Sequence, residues 1–166
     1  MNDSNRKNPP LPPWSWDPIQ LLALGFGSGR AAVAPGTFGT LVGVLFYLPM
    51  ATLPTLPYLA ITAILFLIGI PICAHAARQF GVHDHGAIVW DEIVGYLVTM
   101  AFAPSGWLWI VLGFALFRLF DIAKPWPIGW LDQQVSGGLG IMVDDLLAGI
   151  YAAAVLAGLQ WSGLLG

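Results

Sequence analysis

Residues 91–124 read DEIVGYLVTMAFAPSGWLWIVLGFALFRLFDIAK, and how this stretch crosses a membrane decides the fold. No charged residue occurs between Glu92 and Arg118. As a single span, the stretch would put Asp91 and Glu92 on the opposite side from Arg118, Asp121 and Lys124. As a hairpin turning at Pro104-Ser105-Gly106, it would gather all five on one side. Proline followed closely by glycine is strong punctuation, and the arms, 88–103 and 107–120, just cross a thin or tilted bilayer. Basic residues favour the cytoplasmic side. With the hairpin, Arg6, Lys7, Arg30, Arg78, Arg118 and Lys124 share that side and both external turns carry none. The hairpin is therefore expected.

Working outward, two more apolar gaps appear, from Arg30 to Arg78 and after Asp145. The chain has 166 residues, 57% hydrophobic and 9% charged, with a mean hydropathy of +0.76. Soluble domains carry roughly 25% charged residues, so a bilayer is the expected solvent. The expected fold is all-α, a polytopic membrane bundle of about five short helices. The first gap holds two of them, 37–48 (reaching back toward Pro35) and 58–77, divided by a Pro- and Thr-rich turn. The hairpin supplies two more, and 145–165 the last. An N-terminal segment, 18–24, opens behind Asp17-Pro18, a capping residue followed by proline at the first helical position, and is expected along the interface. Residues 1–16 read as a flexible lead-in with Trp14 and Trp16 at the interface, and 17–166 as one membrane-embedded domain. No signal peptide is visible at the start. No basic stripe offers itself to nucleic acid. The single cysteine, Cys73, lies in an apolar run and reads as an inert buried thiol.

Seven of the nine acidic residues fall between Asp84 and Asp145: Asp84, Asp91, Glu92, Asp121, Asp132, Asp144 and Asp145. Carboxylates near a bilayer core are expensive and tend to mark function. Two adjacent pairs, Asp91-Glu92 and Asp144-Asp145, each at a helix mouth, repel one another in low dielectric unless a divalent cation intervenes. Oxygen ligands without a Cys or His cluster favour Mg²⁺, Mn²⁺ or Ca²⁺ over zinc, and Mg²⁺ suits a site completed by phosphate. The plainer alternative is that each pair gains from a helix dipole.

Arg118, Asp121 and Lys124 follow at helical spacing, with Pro125 ending the helix. Two cations beside a metal suit a phosphate ester; a structural Arg–Asp pair with a snorkelling lysine is the alternative. Gly25-Phe-Gly27-Ser-Gly29-Arg30 and Pro35-Gly36-Thr37-Phe38-Gly39 could contact phosphate through Arg30, Gly36, Thr37 and Gly39, although close helix packing explains the glycines equally. His75 reads as a packed residue, His83-Asp84-His85 as an exposed loop with metal binding or proton shuttling as the alternative, and residues 133–140 as a mobile loop bringing Asp144 to the site. Cys73 and Arg78 are too close for a cysteine phosphatase, and Ser105-Gly106 is followed by Trp107 rather than the histidine of a histidine phosphatase. Metal-activated water or direct carboxylate attack remains.

In this order these motifs resemble one family, the bacterial phosphatidylglycerophosphatase A enzymes. The resemblance runs from about Leu22 to Tyr151. Its carriers are the two glycine segments, Ile88-Val-Trp-Asp91-Glu92-Ile-Val-Gly95, Phe117-Arg118-Leu-Phe-Asp121-Ile-Ala-Lys124-Pro-Trp-Pro-Ile128 and Gly138-Leu-Gly140-Ile-Met-Val-Asp144-Asp145-Leu-Leu-Ala148-Gly149. It implies a Mg²⁺-dependent hydrolase of the bacterial inner membrane that converts phosphatidylglycerophosphate to phosphatidylglycerol and phosphate. The residue roles expected from the chemistry are Asp91, Glu92, Asp144 and Asp145 as metal ligands, with Asp121 a further ligand or base. Arg118 and Lys124 would neutralise the phosphoryl oxygens at the cytoplasmic face, with Asp91 also counted as catalytic. The rivals are a cation-binding membrane transporter and a non-enzymatic lipid-binding subunit. Oligomeric state is left open.

Overall fold

The computed structural model describes residues 9–11, 13, 16–82 and 84–163. Most of the expected lead-in, Trp14 included, lies outside the described residues, as does His83. Among the described residues there are seven α-helices, one 3-10 helix and no strand. The helices are α1 (Pro18–Ala23), α2 (Pro35–Met50), α3 (Thr55–Phe80), α4 (Trp90–Met100), α5 (Trp107–Ala123), α6 (Ile128–Gln134) and α7 (Gly137–Ser162); the 3-10 helix, Gly25–Arg30, follows α1. The five longest are the five expected, and α4 and α5 form the hairpin, turning through 101–106.

The bundle carries apolar side chains on its outside as well as in its core. α3 and α7 are long and apolar enough to cross a membrane, and α2 is a shorter apolar helix. α2 exposes Phe38, Leu41, Leu45 and Leu48 at helical spacing, and α3 exposes Leu56, Ile64 and Leu67. Exposed tryptophans flank this apolar surface. Trp107 and Trp161 lie at one end, and Trp16, Trp126 and Trp130 at the end where the charges gather. The intervening α5 is about 25 Å long, close to the hydrocarbon thickness of a bilayer, and tryptophans favour its two interfaces.

α4 is the exception to the spanning pattern. At 11 residues it is only about 16 Å long, and nine of its residues are buried. It is the central helix, wrapped by α2, α3, α5 and α7. Both of its ends are tied to α3 by side-chain hydrogen bonds. Tyr58 Oη donates to the Leu97 carbonyl at 2.6 Å, satisfying one of the carbonyls that a helix C-terminus leaves unpaired. Trp90 Nε1 donates to the Leu65 carbonyl at 3.1 Å.

Three sequence expectations need correction. The first arm of the hairpin does not begin its helix at residue 88. Residues 87–89 are non-helical yet buried, which a membrane tolerates only where backbone groups find partners inside protein. Here the Val89 N–H donates to the Ala23 carbonyl at 2.9 Å and the Ala87 N–H to His85 Nδ1 at 3.1 Å. Second, 133–140 is no mobile loop: α6 runs to Gln134 and α7 begins at Gly137. A Cβ on Gly138 would lie 1.9 Å from the Ile70 carbonyl oxygen, so the small residue permits contact with α3. Third, Asp144 and Asp145 therefore sit two turns inside α7 instead of at its mouth, where the helix dipole would favour them.

Candidate active site

The site is built where α4 and α7 cross. A Cβ on Gly149 would fall 2.5 Å from the Gly95 carbonyl oxygen, and one on Gly95 would fall 2.9 Å from the Asp145 carbonyl oxygen. The two backbones are thus in direct contact. One turn before each glycine stands a carboxylate, Asp91 on α4 and Asp145 on α7. Close approach of the glycines brings these acids together, along with Glu92 beside Asp91. Oxygens of Asp91, Glu92 and Asp145 all lie within 4.8 Å of one another.

Each of the three residues also has one oxygen, Asp91 Oδ1, Glu92 Oε2 and Asp145 Oδ2, that is buried without a hydrogen-bond partner. Buried polar atoms are normally satisfied, and unpaired buried carboxylates are far more costly than neutral groups. A divalent cation would satisfy all three at once. The donor set, all carboxylate oxygen, is that of a hard cation. The site therefore fits a metal ion.

Two cations border the triad. Arg118 Nη1 donates to Asp121 Oδ2 and lies 3.8 Å from Glu92 Oε1; its Nε is buried with no partner. Asp121 in turn lies against Asp145. Lys124 Nζ donates to Asp144 Oδ2 and pairs with Asp132 Oδ1 at 3.1 Å. Burial alone would lower the pKa of Lys124, but Asp144, with Asp132 behind it, outweighs that and holds the ammonium above the ordinary lysine range. It stays charged.

One cavity of about 290 Å³ is lined by Asp91, Glu92, Arg118, Asp121, Lys124, Asp144 and Asp145. All seven were expected together from the sequence. Asp144 departs from its expected part, since Oδ2 is engaged by Lys124 and Oδ1 accepts the Asp145 N–H at 3.0 Å. It stands beside the triad, not in it. Of the residues expected to contact phosphate, Gly36 reaches the site: a Cβ there would lie 2.3 Å from Glu92 Oε1 and 2.8 Å from Arg118 Nη1. Gly39 packs on Val89. None of the four, Gly36 included, is among the residues that line the cavity.

Two acids were overlooked as site residues. Asp84 lines the cavity and Asp132 shares Lys124; both belong to the acid-rich stretch, but neither has an acidic neighbour in sequence. The exposed-loop reading of 83–85 holds for Asp84 and fails for His85, which is buried against Phe80 with Nε2 3.0 Å from the Pro9 carbonyl. His75 packs α3 on α1, 3.6 Å from Asp17 and 2.9 Å from Gln79. Cys73 is buried beside Met142. A larger apolar cavity, about 580 Å³, lies between α3, α4 and α7 away from the acids.

An all-α bundle with an apolar exterior, carrying an internal carboxylate triad beside an arginine and a lysine, defines a membrane protein with a site suited to a metal ion and an anion. Residues 21–160 match the family described as Phosphatidylglycerophosphatase A. The chain belongs to this family. It is 45% identical over 141 residues to phosphatidylglycerophosphatase A of Escherichia coli (strain K12), covering 84% of this chain and 82% of that protein. It is 48% identical over 147 residues to the protein of that name from Haemophilus influenzae, covering 87% and 90%. A Bacteroides thetaiotaomicron protein, provisionally named a phosphatidylinositol-3-phosphatase, is 34% identical over 150 residues, covering 85% and 92%. No solved structure matches the chain.

Proposed function

We propose that this protein hydrolyses phosphatidylglycerophosphate to phosphatidylglycerol and inorganic phosphate, using Mg²⁺ held by Asp91, Glu92 and Asp145. Family membership and the names of its relatives support the reaction. The observation that carries the metal is the set of three buried, partnerless carboxylate oxygens on two crossing helices. Six carboxylates against two cations line the cavity, and a seventh, Asp132, pairs with Lys124. No phosphomonoester approaches such a charge without compensation. When bound, the ion supplies that compensation and Lewis acidity toward the phosphoryl oxygens and the attacking water.

The chain's own groups do the rest. In the net reaction a water oxygen bonds to phosphorus, the ester P–O bond breaks, and the leaving glycerol oxygen takes a proton. Asp121, beside Asp145, accepts the proton of the attacking water. Arg118 offers its fork to the phosphoryl oxygens, with Gly36 keeping the space in front of it clear; preorganised donors of this kind stabilise charge as it develops. Lys124 adds a second positive charge. We assign Asp144 to holding Lys124, because both its oxygens are already engaged.

The protein is multi-pass in the bacterial inner membrane, with the site facing the cytoplasm. Supporting this, Arg30, Arg78, Arg118 and Lys124 lie at the site's end of the bundle, while the turns at 51–54 and 101–106 carry no charge. Purified protein given phosphatidylglycerophosphate in vesicles tests the reading. Phosphate release should require Mg²⁺ and vanish with chelator, and Asp145→Asn should lower it at least about a hundredfold. Release indifferent to chelator would remove the metal from the mechanism. Cation flux without phosphate release would favour a transporter.

A further inference from the structure

The acidic cavity has exposed lining residues of two opposite characters, polar and apolar. On one side its wall is Asp84 and Gly86, both exposed on the charged segment that leads into α4. On another its wall is Ile122, 72% exposed on the outer face of α5. The other apolar lining residue, Ile88, is buried. Ile122 is therefore the point where the cavity meets the lipid-facing surface. Leu119, one turn earlier, and Trp126, just beyond the helix, extend that exposed apolar strip on either side.

Behind Ile122 stand the cations. Arg118 is one turn back on the same helix and Lys124 two residues on, and both line the cavity. A molecule crossing Ile122 from the bilayer would thus leave apolar surface and meet positive charge. The occupant that suits both is an anionic headgroup on acyl chains. Each methylene drawn into water costs free energy, so a path that keeps the chains in hydrocarbon while the headgroup turns inward is favoured.

We propose that the lipid substrate reaches the site sideways, over Ile122, its acyl chains lying along Leu119 and Trp126 outside α5 while its terminal phosphate faces Arg118 and Lys124. The exposed Asp84–Gly86 side would face water. This rests on the phosphatase reading and adds to it a residue that selects for substrate presented in a bilayer.

Two substrates separate the routes: long-chain phosphatidylglycerophosphate in phosphatidylcholine vesicles, and a short-chain analogue soluble in water. The variants are Ile122→Glu, which puts a carboxylate in the path of the phosphate, and the milder Ile122→Ala. Val111→Ala, an exposed position on the same helix remote from the cavity, is the matched control, and thermal unfolding in detergent checks that each variant is folded. Ile122→Glu should lower kcat/KM on vesicles about tenfold more than on the soluble analogue, Ile122→Ala should shift the ratio the same way by less, and Val111→Ala should leave it unchanged. Equal losses on both substrates, or no loss on vesicles for either folded variant, would overturn sideways access. Failure of the unaltered protein to release phosphate from either substrate would instead sink the phosphatase reading and this inference with it.

Discussion

Gly36 and Glu92 belong to different helices, yet one methyl group separates a working arrangement from a blocked one. A Cβ on Gly36 would collide with the far ends of the Glu92 and Arg118 side chains, not with backbone. Those ends can swing away, so the fold should survive; alanine is also the better helix former by roughly 0.5–1 kcal/mol. The site should not survive so well, because displacement of a catalytic group by about 1 Å can cost on the order of a hundredfold in rate. Gly36→Ala is expected to leave the unfolding temperature unchanged or slightly raised while phosphate release falls by about that factor. A variant that unfolds early, or one that keeps full turnover, would show that Gly36 has another task. The sequence groups Gly36 with Arg30, Thr37 and Gly39 as phosphate contacts. The glycine cluster is one pattern in the sequence but serves several helix contacts, and only Gly36 meets the acids.

The crossing of α4 and α7 sets the distance between Asp91 and Asp145, and at this scale a glycine behaves differently. The Cβ of Gly149→Ala would meet the Gly95 backbone at 2.5 Å, and backbone cannot rotate aside. The helices must part, at a cost of about 1–3 kcal/mol. Gly149→Ala should therefore lose both thermal stability and activity, read from unfolding in detergent and phosphate release, in contrast to Gly36→Ala. The similarity of the segments Asp91-Glu92-x-x-Gly95 and Asp144-Asp145-x-x-x-Gly149 was visible in the sequence. Their meaning was not, because proximity across a helix crossing leaves no mark on either helix alone. The hairpin was legible because Pro104 and Gly106 interrupt an uncharged run, and charge placement then chose between two topologies. The start of α7 was illegible for the opposite reason. Gly137, Gly138 and Gly140 have loop-like propensity, and tertiary contact with α3 overrides it. The short α6 and the role of Asp132 depend on Lys124, a partner that no local pattern announces.

Among the described residues, charge is concentrated at one end of the bundle and the rest of its surface is largely apolar. The described structure thus holds a strong electrostatic conflict in its interior, one that a divalent ion would relieve. An ion that binds the folded state alone stabilises it by about 2.7 kcal/mol at a hundredfold excess over its Kd. Mg²⁺ should accordingly raise the unfolding temperature in detergent and chelator should lower it, with Asp145→Asn blunting the response; an unfolding temperature blind to Mg²⁺ would speak against a bound ion. The brevity of α4 carries a last consequence, for the order of assembly. A helix of about 16 Å with two acids at its tip cannot cross a bilayer by itself, so it must be carried in by its neighbours. The ribosome delivers α2 and α3 before it, α5 directly after it and α7 last. Until that helix docks, Asp91 and Glu92 face each other with no Asp145 to share a cation, and the nascent protein is a lipid-embedded scaffold with half a catalytic centre.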